Sequence, residues 1–229
     1  ALGESNFSEA MKHFELQPES WRLSPQGSEI HADILDGMGR EALSSGEFNH
    51  AEELIRSALE KNPELSTSWF NLGQVLRVHG DWESAIDAYE KSASYSEGDM
   101  SAQIAAWLTL PILYRSDDEI TQVRRQFQEG LDALVNRFVP ASLEDLDAAI
   151  DACARRTNFQ LAYQQQNDLK LQKQYGQWVS DVLAREFDSL VPKAQPRGTR
   201  IRVGFVSSFW WRHTVGKLFR GWVEQIDKD

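Results

Sequence analysis

His213 stands between a short apolar run, Ile201, Val203, Phe205 and Val206, and a helical face that begins at Val215. An imidazole has an unperturbed pKa near ~6.5, so a neutral one at a cleft edge can take a proton from a hydroxyl or orient it. Alone, a histidine just before a helix also reads as a local cap or a surface residue. His13, His31, His50 and His79 are scattered and show no paired spacing of the His-Glu-x-x-His kind, so no metal is expected. Gly204 and Gly216 fit neither Walker nor dinucleotide-loop spacing, which leaves no phosphate cradle of those types. Cys153 is the one cysteine; it allows no internal disulfide and no thiolate cluster. It lies on an apolar helical side with Leu143, Leu146 and Ile150, where an inert core thiol is expected.

The elements that would hold His213 are a strand, a loop and a helix. The breaker-rich stretch from Val191 to Thr199 reads as a linker, and the β-branched run after it as a strand. Val215, Leu218, Phe219, Trp222, Val223 and Ile226 keep a helical period, with Thr214 available as N-cap. One strand and one helix cannot bury both faces of the strand, so the sequence reads as a fragment of a larger α/β domain, and Ala1 in place of Met suggests a trimmed amino end.

Composition is that of an ordinary globular chain, 41% hydrophobic and 26% charged over 229 residues, enough for a sizeable core or two domains. No apolar run approaches the ~20 residues a membrane helix needs and no leader pattern opens the chain, so no membrane is expected and a reducing, cytoplasmic setting is the default. The formal net charge is -11, yet Ser189 through Val223 holds no acid and carries Lys193, Arg197, Arg200, Arg202, Arg212, Lys217 and Arg220. This basic stretch either faces an acidic partner surface or helps draw a phosphorylated small molecule into a cleft. Nucleic acid is not an expected partner, since the overall balance is acidic and no recognition motif accompanies the patch.

In the amino-terminal half, a self-alignment at 34 residues pairs Leu35 with Trp69, Met38 with Leu72, Gly39 with Gly73 and Gly46 with Gly80. It continues through Phe48 with Trp82, Ala51 with Ala85 and Ile55 with Tyr89, and Pro63 ends the first copy. This pattern resembles the tetratricopeptide repeat. Small residues sit where paired helices touch, and large ones fill the space between pairs. Phe7, Ala10 and Phe14 form a partial further copy of the second helix. Such repeats stack into a superhelix with a concave groove and need company at their ends. Helices near Ser101 to Tyr114, where Pro111 predicts a kink or early end, and near Asp117 to Phe138 would supply it. The repeats read as a docking surface for protein segments, or more plainly as a spacer or a homodimer contact. Asn71 falls at a helix position that faces the groove in repeats of this type, where its amide could pair with a peptide backbone; Gly37 occupies the matching place in the other copy.

Between repeats and strand, Thr157 to Asp168 taken alone reads as a polar loop, followed by a helix with Leu171, Tyr175, Trp178, Val182 and Phe187 on one side. The order of tetratricopeptide repeats, then Asn158-Phe-Gln-Leu-Ala-Tyr163 with Asn167-Asp168, then Arg202-Val-Gly-Phe-Val-Ser-Ser208 and His213, resembles the bacterial branch of the O-GlcNAc transferase and SPINDLY family. The resemblance runs from about residue 32 to the end. It departs from the family pattern at Phe205, where a tyrosine is usual, and at Phe209-Trp210, where Asp-Phe is usual.

The resemblance implies a mainly α chain: a tetratricopeptide α-solenoid leading into the first strand and helix of a Rossmann-like GT-B lobe. The expected segments are a degenerate repeat or amino-terminal helix over 1–31, two repeats over 32–99, bridging helices over 100–156, a linker helix region over 157–192 and the start of the catalytic lobe over 193–229. It implies the amino-terminal part of an inverting protein O-glycosyltransferase that moves a sugar to Ser or Thr hydroxyls. The repeats would dock the acceptor, and His213 would serve as base or acceptor-site organiser. The donor would be a UDP- or GDP-sugar held mainly by a carboxyl-terminal lobe beyond this sequence; no cofactor and no metal is implied. The segment alone is expected to be inactive. The competing reading is a non-catalytic interaction module with a degenerate transferase segment.

Overall fold

The computed structural model describes residues 7–96, 100–137, 143–155, 158–187 and 213–225, and the chain divides into a unit over 1–188 and another over 189–229. All regular structure among the described residues is helical. The expected strand at 201–206, the loop holding Phe209 and Trp210, and the proline-bearing linker lie outside the described residues. What is observed of the expected fold is therefore its helical repeat array.

The first unit opens with α1 (Phe7–Glu15) and the single turn α2 (Glu19–Arg22). Helix α3 (Pro25–Ser44) starts at a strong local signal: Pro25 fits the first turn, and the Ser24 hydroxyl oxygen accepts from the Gly27 N–H at 3.1 Å. The boundary expected at residue 31 thus falls inside a helix. Helices α3 and α4 (Phe48–Lys61) make the first repeat, α5 (Ser66–His79) and α6 (Trp82–Tyr95) the second. The turn within each repeat passes through a left-handed glycine, Gly46 at φ 81° and Gly80 at φ 87°. Asp81 then caps α6 by accepting from the Ser84 N–H at 3.1 Å.

The small residues have the purpose their spacing predicts. A Cβ on Gly39 would stand 2.7 Å from Ile55 Cγ1, and one on Gly73 would stand 2.6 Å from the Tyr89 ring. Ala51 and Ala85 are fully buried. The paired helices therefore meet backbone to side chain, and Ile55 and Tyr89 fill the gap.

The array continues through α7 (Met100–Leu108), α8 (Asp117–Arg137), α9 (Leu143–Arg155), a 3-10 helix (Phe159–Gln164) and α10 (Leu169–Glu186). Helix α7 ends at Leu108, six residues short of the expected end at Tyr114. Pro111 has no N–H to give and biases Leu110 toward extended backbone, so the helix closes early. The Thr109 hydroxyl donates to the Ala105 carbonyl at 2.6 Å and satisfies one carbonyl of the last turn. Val123, Phe127, Leu131 and Leu134 bury one face of α8 in a core shared with α7, α9 and α10, as their spacing requires. Cys153 sits half-buried at the edge of that core. Burial pushes its thiol up to about 11, which keeps it neutral near pH 7.

Among the described residues the second unit shows one element, α11 (Thr214–Gln225). Thr214 is its first helical residue rather than a cap preceding it. Leu218, Phe219 and Trp222 are exposed on this helix, with Phe219 and Trp222 edge to face at 5.4 Å.

Candidate docking cleft

A cleft of about 380 Å³ opens where the second repeat meets the helices that follow it. Helix α5 contributes Phe70, Gln74 and Arg77, spaced to share one face; α7 contributes Ser101, Ile104 and Leu108 in the same way. Tyr89 of α6, Ala152 of α9 and Gln160 of the 3-10 helix close the remaining sides. Tyr89, Ile104 and Leu108 at its base are buried, so most of the surface the cleft presents is polar. Among the described residues the rim carries amides and one charged group, Arg77. The volume suits one or two side chains rather than a folded partner.

Asn71 precedes Gln74 by about one turn of α5 and does not itself line the cleft. It is 6% exposed, its Nδ2 donates to Asp36 Oδ1 at 3.0 Å, and its Oδ1 accepts from Gln74 Nε2 at 3.4 Å. The same Asp36 oxygen accepts from the buried Ser68 hydroxyl at 2.8 Å. One carboxylate thus ties α3 to α5 through two neutral donors, and Asn71 in turn aims Gln74 at the cleft. Gly37, at the place in α3 that matches Asn71, has a different neighbour. A Cβ there would lie 2.3 Å from the Phe7 ring, and the Arg40 guanidinium stands 5.7 Å from that ring's centre. Equivalent positions in the two repeats are therefore served by an aromatic ring from α1 in one case and by a carboxylate from α3 in the other.

The stretch 158–168 is more ordered than a polar loop. Leu161 is fully buried in the core that α7, α8, α9 and α10 share, and Gln164 is buried as well. Arg124 of α8 holds the segment: Nη1 donates to Gln164 Oε1 and to Asp168 Oδ1, each at 2.7 Å, and Nη2 donates to the Asn167 carbonyl at 2.7 Å. Gln164 Nε2 passes the network on to the Tyr114 hydroxyl at 2.7 Å. Burial, first of all, raises the phenol of Tyr114 above its ordinary pKa. The left-handed Gln165, at φ 51°, ends the 3-10 turn and lets Asn167 and Asp168 face Arg124. The residues that carry the family resemblance here build a joint between α8 and α10. Nothing in the sequence marks Arg124 for this role, since it stands off the apolar face of α8 as a solvated arginine would.

His213 is exposed, and its carbonyl accepts from the Lys217 N–H at 3.0 Å as the first hydrogen bond of α11. It lies in the second unit, whereas Asn71 and Arg77 lie in the first. Among the described residues no group of three or more His, Cys, Asp or Glu is placed to hold a metal ion, and no helix is long and apolar enough to cross a membrane.

Known proteins match the repeat half, which supplies part of the cleft lining. The family profile described as tetratricopeptide repeat matches residues 37–101. Tetratricopeptide repeat protein 36 of Mus musculus is 24% identical over 106 residues, which cover 46% of this chain and 57% of that protein. The chain thus spans little more than half of the length of that relative. Helices α3 to α6, with their glycine contacts and left-handed turns, form a tetratricopeptide-repeat array that bears a distant similarity to that protein.

Proposed function

We infer that this chain is a protein-interaction module whose second repeat and following helices hold an extended segment of a partner protein. The observation that supports this most is the cleft itself: Gln74 and Gln160, whose amides can both donate and accept, stand along a concave surface based on the buried Tyr89, Ile104 and Leu108. Gln160 and the Oε1 of Gln74 have no hydrogen-bond partner among the described residues and can serve a peptide backbone. Asn71 acts as a positioning residue for Gln74. Hydrogen exchange tests the reading. Peptides recovered from a random display library on the full chain should protect amides of α5 and α7, and peptides that protect neither helix would remove the cleft as the docking site.

A second reading rests on the order of motifs and on an exposed His213 at the head of a basic, amphipathic α11. In it, this chain is the amino-terminal part of a protein O-glycosyltransferase of the O-GlcNAc transferase and SPINDLY type. The repeats choose acceptor proteins, and His213 accepts or orients the proton of the incoming Ser or Thr hydroxyl. A nucleotide sugar is bound by a further lobe. The test is sugar transfer by a protein that continues through Asp229, with His213→Ala expected to lower turnover by about a hundred-fold or more. Near-normal turnover of that variant removes His213 from the chemistry.

A further inference from the structure

Two histidines that form no motif in the sequence are brought together by the fold. An open recess of about 420 Å³ at the edge of the repeat array is lined by Gly46, Glu47, Phe48, Asn49, His50 and His79. His50 belongs to the first turn of α4 in the first repeat, and His79 is the last residue of α5 in the second. The recess shares no lining residue with the docking cleft. Both imidazoles are exposed, and each turns Nδ1 toward a carboxylate: His79 Nδ1 stands 3.2 Å from Glu52 Oε2, and His50 Nδ1 stands 3.8 Å from Glu53 Oε2. Glu52 is itself fixed, since its Oε1 accepts from Arg56 Nε at 2.8 Å. On both rings Nε2 has no hydrogen-bond or ion-pair partner among the described residues. A carboxylate at one ring nitrogen holds the proton there and leaves the other nitrogen as a lone-pair donor, which is how metal-bound histidines are oriented. The amino terminus of α4 disfavours a cation and the carboxyl terminus of α5 favours one, so the two dipoles offset each other, and Glu47 and Glu53 tip the balance toward positive charge.

We propose that His50 and His79 hold one divalent first-row metal ion of the zinc and nickel kind through their Nε2 atoms, with water in the remaining positions. Imidazole nitrogen suits such ions, whereas a hard ion such as magnesium takes oxygen ligands. Two protein ligands make a weaker, more open site than the four of a structural zinc centre. One ligand comes from each repeat, so the bound ion ties α4 to α5 and stabilises the array at the edge where Gly46 and Gly80 turn the chain.

Calorimetric titration of the untagged full chain with zinc chloride gives the test, with thermal melts in the same buffer as a second readout. Wild type should take up one ion per chain, magnesium should not compete, and zinc should raise the melting temperature. His50→Gln and His79→Gln should each weaken uptake by at least about ten-fold, and Glu52→Gln, which removes the group that orients His79, by about ten-fold. His13→Gln, which removes a histidine from α1, should leave both readouts unchanged. Proton–carbon spectra of the wild type need no variant: zinc should move the ring signals of His50 and His79 and leave those of the other three histidines in place. No uptake up to roughly 1 mM zinc, equal uptake after either histidine is replaced, or ring shifts confined to other histidines would overturn the proposal.

Discussion

The two halves of the first unit are held together by different physics. From α3 to α6 the helices pair through glycines and alanines, and each contact lies within one repeat or its neighbour. From α7 to α10 the helices share an apolar core, and a polar joint centred on Arg124 reaches across 40 or more residues of sequence to Gln164 and Asp168. Local packing codes can be repeated, and so they leave a period in the sequence. A joint made once, between distant segments, leaves none. The cleft lies where the two regimes meet, with one wall from each.

The largest effect that would sharpen this contrast is steric. Gly73→Val should destabilise the chain by about 3 kcal/mol, because even its Cβ would stand 2.6 Å from the buried Tyr89 ring, which must shift. Urea unfolding measures it, and a loss below the spread of replicates would mean that the repeat contact is looser than described.

Next in size is the joint. Arg124→Met should cost about 2–3 kcal/mol, since it leaves the Asp168 carboxylate and the buried Gln164 oxygen without their donor. Arg40→Met is the matched control from the repeat half. Its side chain is 56% exposed and its Nε is 3.5 Å from Asp36, which keeps two other donors, so a loss under about 1 kcal/mol is expected. Equal losses for the two arginines would erase the distinction between the halves.

The smallest expected effect is a pH dependence at the start of the array. His31 stacks on Phe14 at 4.5 Å, and its pKa lies below the ordinary 6.5, first because of burial and then because of Lys61 and Arg22. The unfolded chain therefore binds this proton more readily than the folded one. Stability contributed by neutral His31 is full above pH ~6.5, falls as pH drops through that value and levels off below the folded pKa. Thermal melts of wild type and His31→Phe should converge at neutral pH apart from a constant offset, and diverge between pH ~7 and ~5 with the wild type losing more.

Much of the repeat half was legible in the sequence because its rules are local. Gly39, Gly73, Ala51 and Ala85 mark helix contacts at a fixed period, and Gly46 and Gly80 mark turns that need positive φ. The apolar face of α10 was legible for the same reason. The early end of α7 was only half readable, since Pro111 announces a break without fixing its position. The 3-10 helix and the Arg124 joint were not readable, because glutamine, asparagine and arginine in a polar stretch look alike whether solvated or locked. At the candidate site, Asn71 stood out in sequence. The groups that line the cleft, Gln74, Arg77 and Gln160, come together only through the fold.

The most direct measurement fills the cleft and leaves the core alone. Ser101 is half-buried on the cleft side of α7, so Ser101→Trp should occupy the space over Ile104 while melting within a few degrees of wild type. Peptides selected on the wild-type chain should lose at least about ten-fold in affinity for this variant, the equivalent of one blocked side-chain subsite. Undiminished affinity, with the variant folded, would contradict the account and place the docking surface elsewhere on the molecule.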